Sequence, residues 1–226
     1  MKTNYVKVIG SFMMLALIAV FPSCTKDDSG SVSLSGAVSL QIVNAAEGSG
    51  SQDFFLDNSK VNSSAVAYTQ SSGYVTSTAG NHTGEFRATG TSTATASSSM
   101  VFESGKYYTV YLGGSGSSSS VVTTQDDMTP PPSGKARIRF VHLSSAVTTG
   151  IDLAVSGGAK IISGLAYKAA STYNDVDASS AFTLSIAGSS SALLTIPTFL
   201  QAGKIYTVYI SGATLATVSF HTVAQN

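Results

Sequence analysis

The chain has no tryptophan, one cysteine, five prolines and three histidines in 226 residues. Each scarcity excludes something. With Cys24 as the only cysteine, no internal disulfide can form, and the fold must be held by packed cores alone. Asp, Glu, Lys and Arg make up 11% of the residues, against roughly one quarter in typical soluble domains. Ser, Thr, Gly and Asn must cover the surface instead, a habit of extracellular β-proteins. Twelve basic residues balance twelve acidic ones, so there is no basic excess to grip a nucleic-acid backbone. His82, His142 and His221 stand in unrelated contexts, and a histidine metal centre would need all of them to converge. There is no H-E-x-x-H, no G-x-S-x-G and no phosphate-cradling glycine loop. Asp126-Asp127 and Asp175-x-Asp177 are the candidates for a calcium site, and read more simply as solvated turn acids. We therefore expect a protein that is not an enzyme, with no cofactor, no metal and no nucleic-acid partner.

The amino terminus is the most informative segment. Lys2 and Lys7 precede an apolar run, Val8 to Phe21, which ends at Pro22-Ser23-Cys24. The run is shorter than the about 20 apolar residues of a membrane span and has the layout of a signal peptide. Residues 1–23 are expected to be a lipoprotein signal peptide, with Cys24 the lipidated residue that carries palmitate. The next residues, Lys26-Asp27-Asp28, resemble an export signal of Bacteroidetes-type lipoproteins. That resemblance implies a lipid-anchored protein on the outer face of the outer membrane. Residues 24–36 read as the lipidated cysteine and a flexible Ser/Gly-rich leash. Cleavage would remove Lys2 and Lys7 but no acid, taking the formal net charge from 0 to −2.

Beyond the leash the chain repeats itself with a period near 98. Gly105-Lys106-Tyr107-Tyr108-Thr109-Val110-Tyr111-Leu112 returns as Gly203-Lys204-Ile205-Tyr206-Thr207-Val208-Tyr209-Ile210. Leu40 to Asn44 returns as Ile138 to His142, Tyr68 as Tyr167, and Tyr74 as Tyr173. A period of that length is a domain rather than a solenoid unit. The spacing predicts one repeat over 37–127, a proline-rich linker over 128–133 and a second repeat over 134–226. Within each repeat, short runs rich in Val, Ile, Thr and Tyr alternate apolar with polar and are broken by Gly/Ser/Asn clusters. Phe182-Thr183-Leu184-Ser185-Ile186 shows the alternation clearly. The expected fold class is all-β: two tandem, Ig-like antiparallel β-sandwich domains. Gly203-Lys204-Ile205-Tyr206 resembles the turn-plus-tyrosine that starts a late strand in Ig-like sandwiches, where the hydroxyl bonds back to the backbone.

The second repeat opens with Ala136-Arg137-Ile138-Arg139-Phe140-Val141-His142-Leu143-Ser144. Asp152 follows in a strand, then the step Gly164-Leu165-Ala166-Tyr167, and Ala202-Gly203-Lys204-Ile205-Tyr206-Thr207-Val208 closes the pattern. These motifs resemble the hallmarks of a bacterial family known as domain of unknown function 4397. The resemblance covers essentially everything after the leash, although Asn44 replaces His142 and Ser104 replaces Ala202 in the first repeat. It implies extracellular β-sandwich modules on secreted proteins or lipoproteins, and no mechanism.

Alternation places Ile138, Phe140 and His142 on the inward face of their strand, with Arg137 and Arg139 outward. A buried His142 must be hydrogen-bonded, so His142 and Asn44 are expected to tie their strand to the next loop, through Ser144. A ligand contact by His142 is the other reading, and His142 with Asp152 is the pair to inspect for catalysis. If Tyr108 and Tyr206 point inward, Tyr107, Tyr111 and Tyr209 point outward. Outward rings on a flat β-face could stack on sugar rings, or pack against their cross-strand neighbours. The leading expectation is a non-catalytic surface lipoprotein whose modules serve binding, adhesion or envelope structure. The alternative is a glycan-binding accessory of an outer-membrane nutrient-uptake system. The expected partners are the membrane, through the lipid, and a surface glycan or protein.

Overall fold

Alternating apolar and polar residues between glycine-containing turns build sixteen strands among the described residues of the computed structural model. It describes Met1 and residues 33–226; most of the signal segment, Cys24 and Lys26-Asp27-Asp28 lie outside the described residues. The first repeat contains β1 (Ala37–Asn44), β2 (Gln52–Leu56), β3 (Ser59–Lys60), β4 (Ser71–Thr78), β5 (Gly80–Ala88), β6 (Ala94–Phe102), β7 (Tyr107–Gly113) and β8 (Ser120–Asp126). The second contains β9 (Lys135–His142), β10 (Ile151–Val155), β11 (Lys160–Leu165), β12 (Asn174–Asp177), β13 (Phe182–Ile186), β14 (Ala192–Ile196), β15 (Ile205–Ser211) and β16 (Ser219–Ala224).

Each repeat pairs two four-stranded sheets. The first has orders β4-β1-β7-β8 and β3-β2-β5-β6; the second has β12-β9-β15-β16 and β11-β10-β13-β14. The opening strand of each repeat runs parallel to its late strand, β1 to β7 and β9 to β15. Leu40, Ile42, Phe54, Phe86 and Phe102 fill the first core. Ile138, Phe140, Leu153, Phe182 and Val208 fill the second. In each, an aromatic pair bridges the two sheets: Phe102 meets Tyr108 in the first with ring centroids 4.9 Å apart, and Phe140 meets Phe182 in the second at 5.4 Å.

The turn-plus-tyrosine expected before β15 occurs in both repeats. Gly105 and Gly203 take φ of 73° and 83°, a left-handed conformation that costs glycine nothing. The following tyrosine hydroxyl then accepts from a backbone N–H five residues upstream, Glu103 N to Tyr108 at 3.1 Å and Gln201 N to Tyr206 at 3.3 Å. The expected leash is shorter than its composition suggested. Ser33 O accepts from Ser104 N at 2.8 Å and Gly36 O from Ala79 N at 2.9 Å, so residues 33–36 are fastened to the first sandwich.

The main departure from expectation lies between the repeats. Val43, Ala45 and Tyr111 of the first pack against Val141, Leu143, Tyr209 and Val223 of the second, all buried. Tyr111 and Tyr209, expected to face solvent, are fully buried, with ring centroids 6.0 Å apart. Alternation placed them on the correct, outer face, but that face is covered by the other repeat. The seam is self-complementary, as across a twofold axis. Ser115 Oγ meets Ser145 Oγ at 3.1 Å on one side. At the corresponding place on the other side, Ala213 N donates to Glu47 Oε2 at 2.6 Å.

Candidate functional site

Toward the end of the seam where β7 and β9 begin, an open cleft of about 800 Å³ lies between the repeats. One wall comes from Tyr107 and the segment Thr123 to Asp126. The other comes from Arg139 and the segment Ala170 to Tyr173, and the connector Asp127 to Pro130 crosses between them.

The buried edge of the cleft is an ion pair that crosses the repeat boundary. Arg139 is 2% exposed and Asp126 6%. The guanidinium donates from Nε to Thr207 Oγ1 at 2.8 Å, from Nη1 to the Gln125 carbonyl at 2.7 Å, and from Nη2 to Asp126 Oδ1. The other carboxylate oxygen of Asp126 accepts from Thr109 Oγ1 and the Tyr74 hydroxyl, both at 2.7 Å. All three guanidinium nitrogens and both carboxylate oxygens are thus hydrogen-bonded, the kind of arrangement in which a buried charge pair is tolerated.

Two tyrosines depend on this pair. The Tyr173 ring lies 5.0 Å from the Arg139 guanidinium and its hydroxyl donates to Gln225 Oε1 at 2.9 Å. Tyr74 meets Tyr107 edge-on, at 5.2 Å and 86°. Tyr107 itself is 37% exposed and stays open to the cleft. Burial, reinforced by Asp126, pushes the Tyr74 phenol up, and burial does the same for Tyr173, so both are neutral. Asp127 accepts from Thr129 N at 2.9 Å and from Arg137 Nη1 at 3.1 Å. Hydrogen bonding by Thr129, helped by Arg137, holds its carboxyl below the ordinary range.

The other candidates from the sequence lie elsewhere. Asp126 is a buried ion-pair partner, not a solvated turn acid, because β8 carries it into the seam. Arg139 is buried for the same reason. Asp175 pairs with Arg137 at 2.8 Å and Asp177 with Lys135 at 2.8 Å. Among the described residues, no group of three or more His, Cys, Asp or Glu is arranged to hold a metal. His142 is buried, with Nε2 2.7 Å from Val147 O in the following loop. Asn44 makes the corresponding tie, donating to Gly50 O at 2.7 Å. Ser144 does not join His142; it donates to Gly212 O at 2.8 Å. Asp152 is held by Lys160 Nζ and Gly164 N, each at 2.6 Å, which pull its pKa down to about 2. No hydrogen bond links it to His142. His82 has both ring nitrogens engaged, with Asp57 Oδ2 at 2.7 Å and Thr78 O at 3.1 Å.

Sequence reasoning raised Asp126 only as a calcium or turn acid and Arg139 only as an outward residue, and did not bring them together with Tyr74 and Tyr173. Their signal is a paired departure from the repeat. Arg139 occupies the position of Gln41, and strand pairing puts Asp126, opposite Tyr107, where Gln225 lies opposite Ile205. Where one repeat boundary has an ion pair, its counterpart has two amides, and Gln41 Oε1 and Gln225 Nε2 are buried without a protein partner.

Residues 38–154 match the family described as domain of unknown function DUF4397. The chain belongs to this family. The DUF4397 match spans the first sandwich, the connector and most of the first two strands of the second, so it includes both Asp126 and Arg139. No curated protein matches the chain. Among solved structures, it is similar to a family 26 carbohydrate-binding module, CBMbc from Eubacterium rectale Amy13K, solved with maltoheptaose. That likeness has 11% identity and a TM-score of 0.28, over 83% of this chain and 97% of that one. It is also similar to the Bacillus anthracis TIE protein, with 11% identity and a TM-score of 0.23, over 79% of this chain and 34% of that one. Both likenesses are too distant to transfer a fold or a ligand to this DUF4397 protein.

Two outcomes follow for this site. Arg139→Gln or Asp126→Gln alone leaves one buried charge unpaired and should cost about 3–5 kcal/mol in urea unfolding. The double variant, which copies Gln41 and Gln225, should recover most of that loss; simple addition of the two losses would contradict the equivalence of the two boundaries. Burial lowers the pKa of His142 and of His221. A folded-state value below the unfolded one of about 6.5 stabilises above that pH and is lost as pH falls. The melting temperature should therefore drop between about pH 7 and pH 5, and His142→Asn should shrink that drop.

Proposed function

We propose that the chain is a lipid-anchored, surface-exposed binding protein without a catalytic role, and that it binds in the cleft between its repeats. The cleft itself carries this reading. Its walls come from two packed sandwiches, its edge is a hydrogen-bonded ion pair, and one tyrosine ring stands open within it. Sites of about 300–1,000 Å³ with a few fixed polar groups are the usual form of a small-ligand pocket. A general acid or base must be free to take or give a proton at the substrate. Both acids of the cleft are instead committed to arginines. Anchoring rests on the signal layout before Cys24 and on Lys26-Asp27-Asp28 behind it.

Both halves can be tested on the full chain. Metabolic palmitate should label the wild type and not Cys24→Ser; equal labelling would overturn the anchor. Since Cys24 is the only cysteine, a Cys24→Ser, Thr129→Cys chain takes a single fluorophore on the exposed connector that crosses the cleft. Compounds that bind should change its emission more than that of the same dye at Ser97→Cys, an exposed site on β6. A broad library that never separates the two positions would overturn the cleft as the binding site.

A further inference from the structure

The cleft's chemistry narrows its ligand, and this step rests on the reading just given. We infer that the cleft takes an uncharged oligosaccharide, seated with one sugar ring against Tyr107.

Charge is the first argument. The ionisable side chains lining the cleft other than its tyrosines are Lys106, Arg139, Asp126 and Asp127, two of each sign. Arg139 spends its donors on Thr207, Gln125 and Asp126, and Asp127 is held by Thr129 and Arg137. A charged ligand would meet no net field here and would have to displace a partner that is already well placed. A neutral ligand would disturb neither pair.

The second argument is the tyrosine platform. Tyr107 is exposed, yet its ring is propped edge-on by Tyr74, whose hydroxyl is fixed on Asp126. The buried ion pair thereby sets the orientation of an exposed ring. A rigid ring loses little entropy on binding, so its contact area translates into affinity. A pyranose offers a flat patch of C–H groups on one face and hydroxyls around its edge. That matches a tyrosine face bordered by polar groups. The border is present and uncharged: Thr124 shares the Tyr107 face of β8 on one wall, where the Gln125 backbone carbonyl also meets Arg139, and Ser171 lines the other. Hydroxyl groups both donate and accept, as sugar hydroxyls do.

The third argument is asymmetry. Across the seam, the position of Tyr107 is held by Ile205. There the backbone N–H of Ile205 is taken by the Asn226 side chain at 2.8 Å. The aromatic platform therefore belongs to one side of a seam that is otherwise self-complementary. That is expected of a site specialised for one ligand rather than of a surface recognised for its symmetry.

The test uses the Cys24→Ser chain and titration calorimetry. Its probes are neutral gluco-, manno-, galacto- and xylo-oligosaccharides, their uronate and sulfated analogues, and short uncharged peptides. Because the chain has no tryptophan, tyrosine emission gives an independent reading of ring contact. At least one neutral series should bind, more tightly as its length grows, with little change on adding salt. Tyr107→Ala should weaken binding about tenfold, and Tyr107→Phe should stay near wild type. Unchanged melting of both variants separates this from misfolding. If only charged saccharides or peptides bind, and they move the Thr129 fluorophore, the saccharide inference fails and the cleft reading stands. Neutral saccharides that bind without moving that fluorophore, and regardless of Tyr107→Ala, would overturn the cleft assignment. If no probe of any class binds, the inference fails as well.

Discussion

The Arg139–Asp126 pair is the contact on which the functional end of this molecule depends. It joins a side chain from the second repeat to one from the first, in a place where neither charge reaches water. Asp126 anchors Tyr74, and Tyr74 props Tyr107. Arg139 lies over Tyr173 and holds the Gln125 carbonyl. Removing either partner would leave a buried charge unmatched and release the tyrosines that shape the cleft. The pair therefore acts less as a source of net stability than as a device that fixes register between two otherwise apolar sheets.

Those sheets explain the rest of the architecture. The central strands β1, β7, β9 and β15 bury both faces, one in a sandwich core and one in the seam. With no disulfide available, the additional apolar area of the seam is the means by which two small sandwiches gain stability from each other. Tyr111 and Tyr209 sit at its centre. Their chemistry is packing, which removes two of the three tyrosines that suggested glycan contact and leaves Tyr107 as the ring that a ligand can reach.

Much of this was legible in the sequence. The repeat of about 98 residues, the alternation in Phe182 to Ile186, and the glycine-plus-tyrosine turns gave the sandwiches and the doubling. His142 and Asn44 do face inward and tie their strands to the following loops, although not through Ser144 as expected. The seam was not legible, for a physical reason. Alternation tells which residues share a face, but not whether water or another sheet covers it. Arg139 and Asp126 carry charge, and charge on an outward face is ordinarily solvated. Only their joint divergence from Gln41 and Gln225 marks them as partners, and that becomes visible once the repeat is aligned on itself. The end of the leash was misread for a similar reason. Ser33 to Gly36 look like a tether by composition, yet backbone hydrogen bonds hold Ser33 and Gly36.

The central claim is that the seam makes two homologous sandwiches into one cooperative body. Scanning calorimetry of the Cys24→Ser chain tests it directly. The account predicts a single transition whose calorimetric and van't Hoff enthalpies agree. Two resolved transitions, each with about half the total enthalpy, would show that the repeats unfold independently and would contradict it.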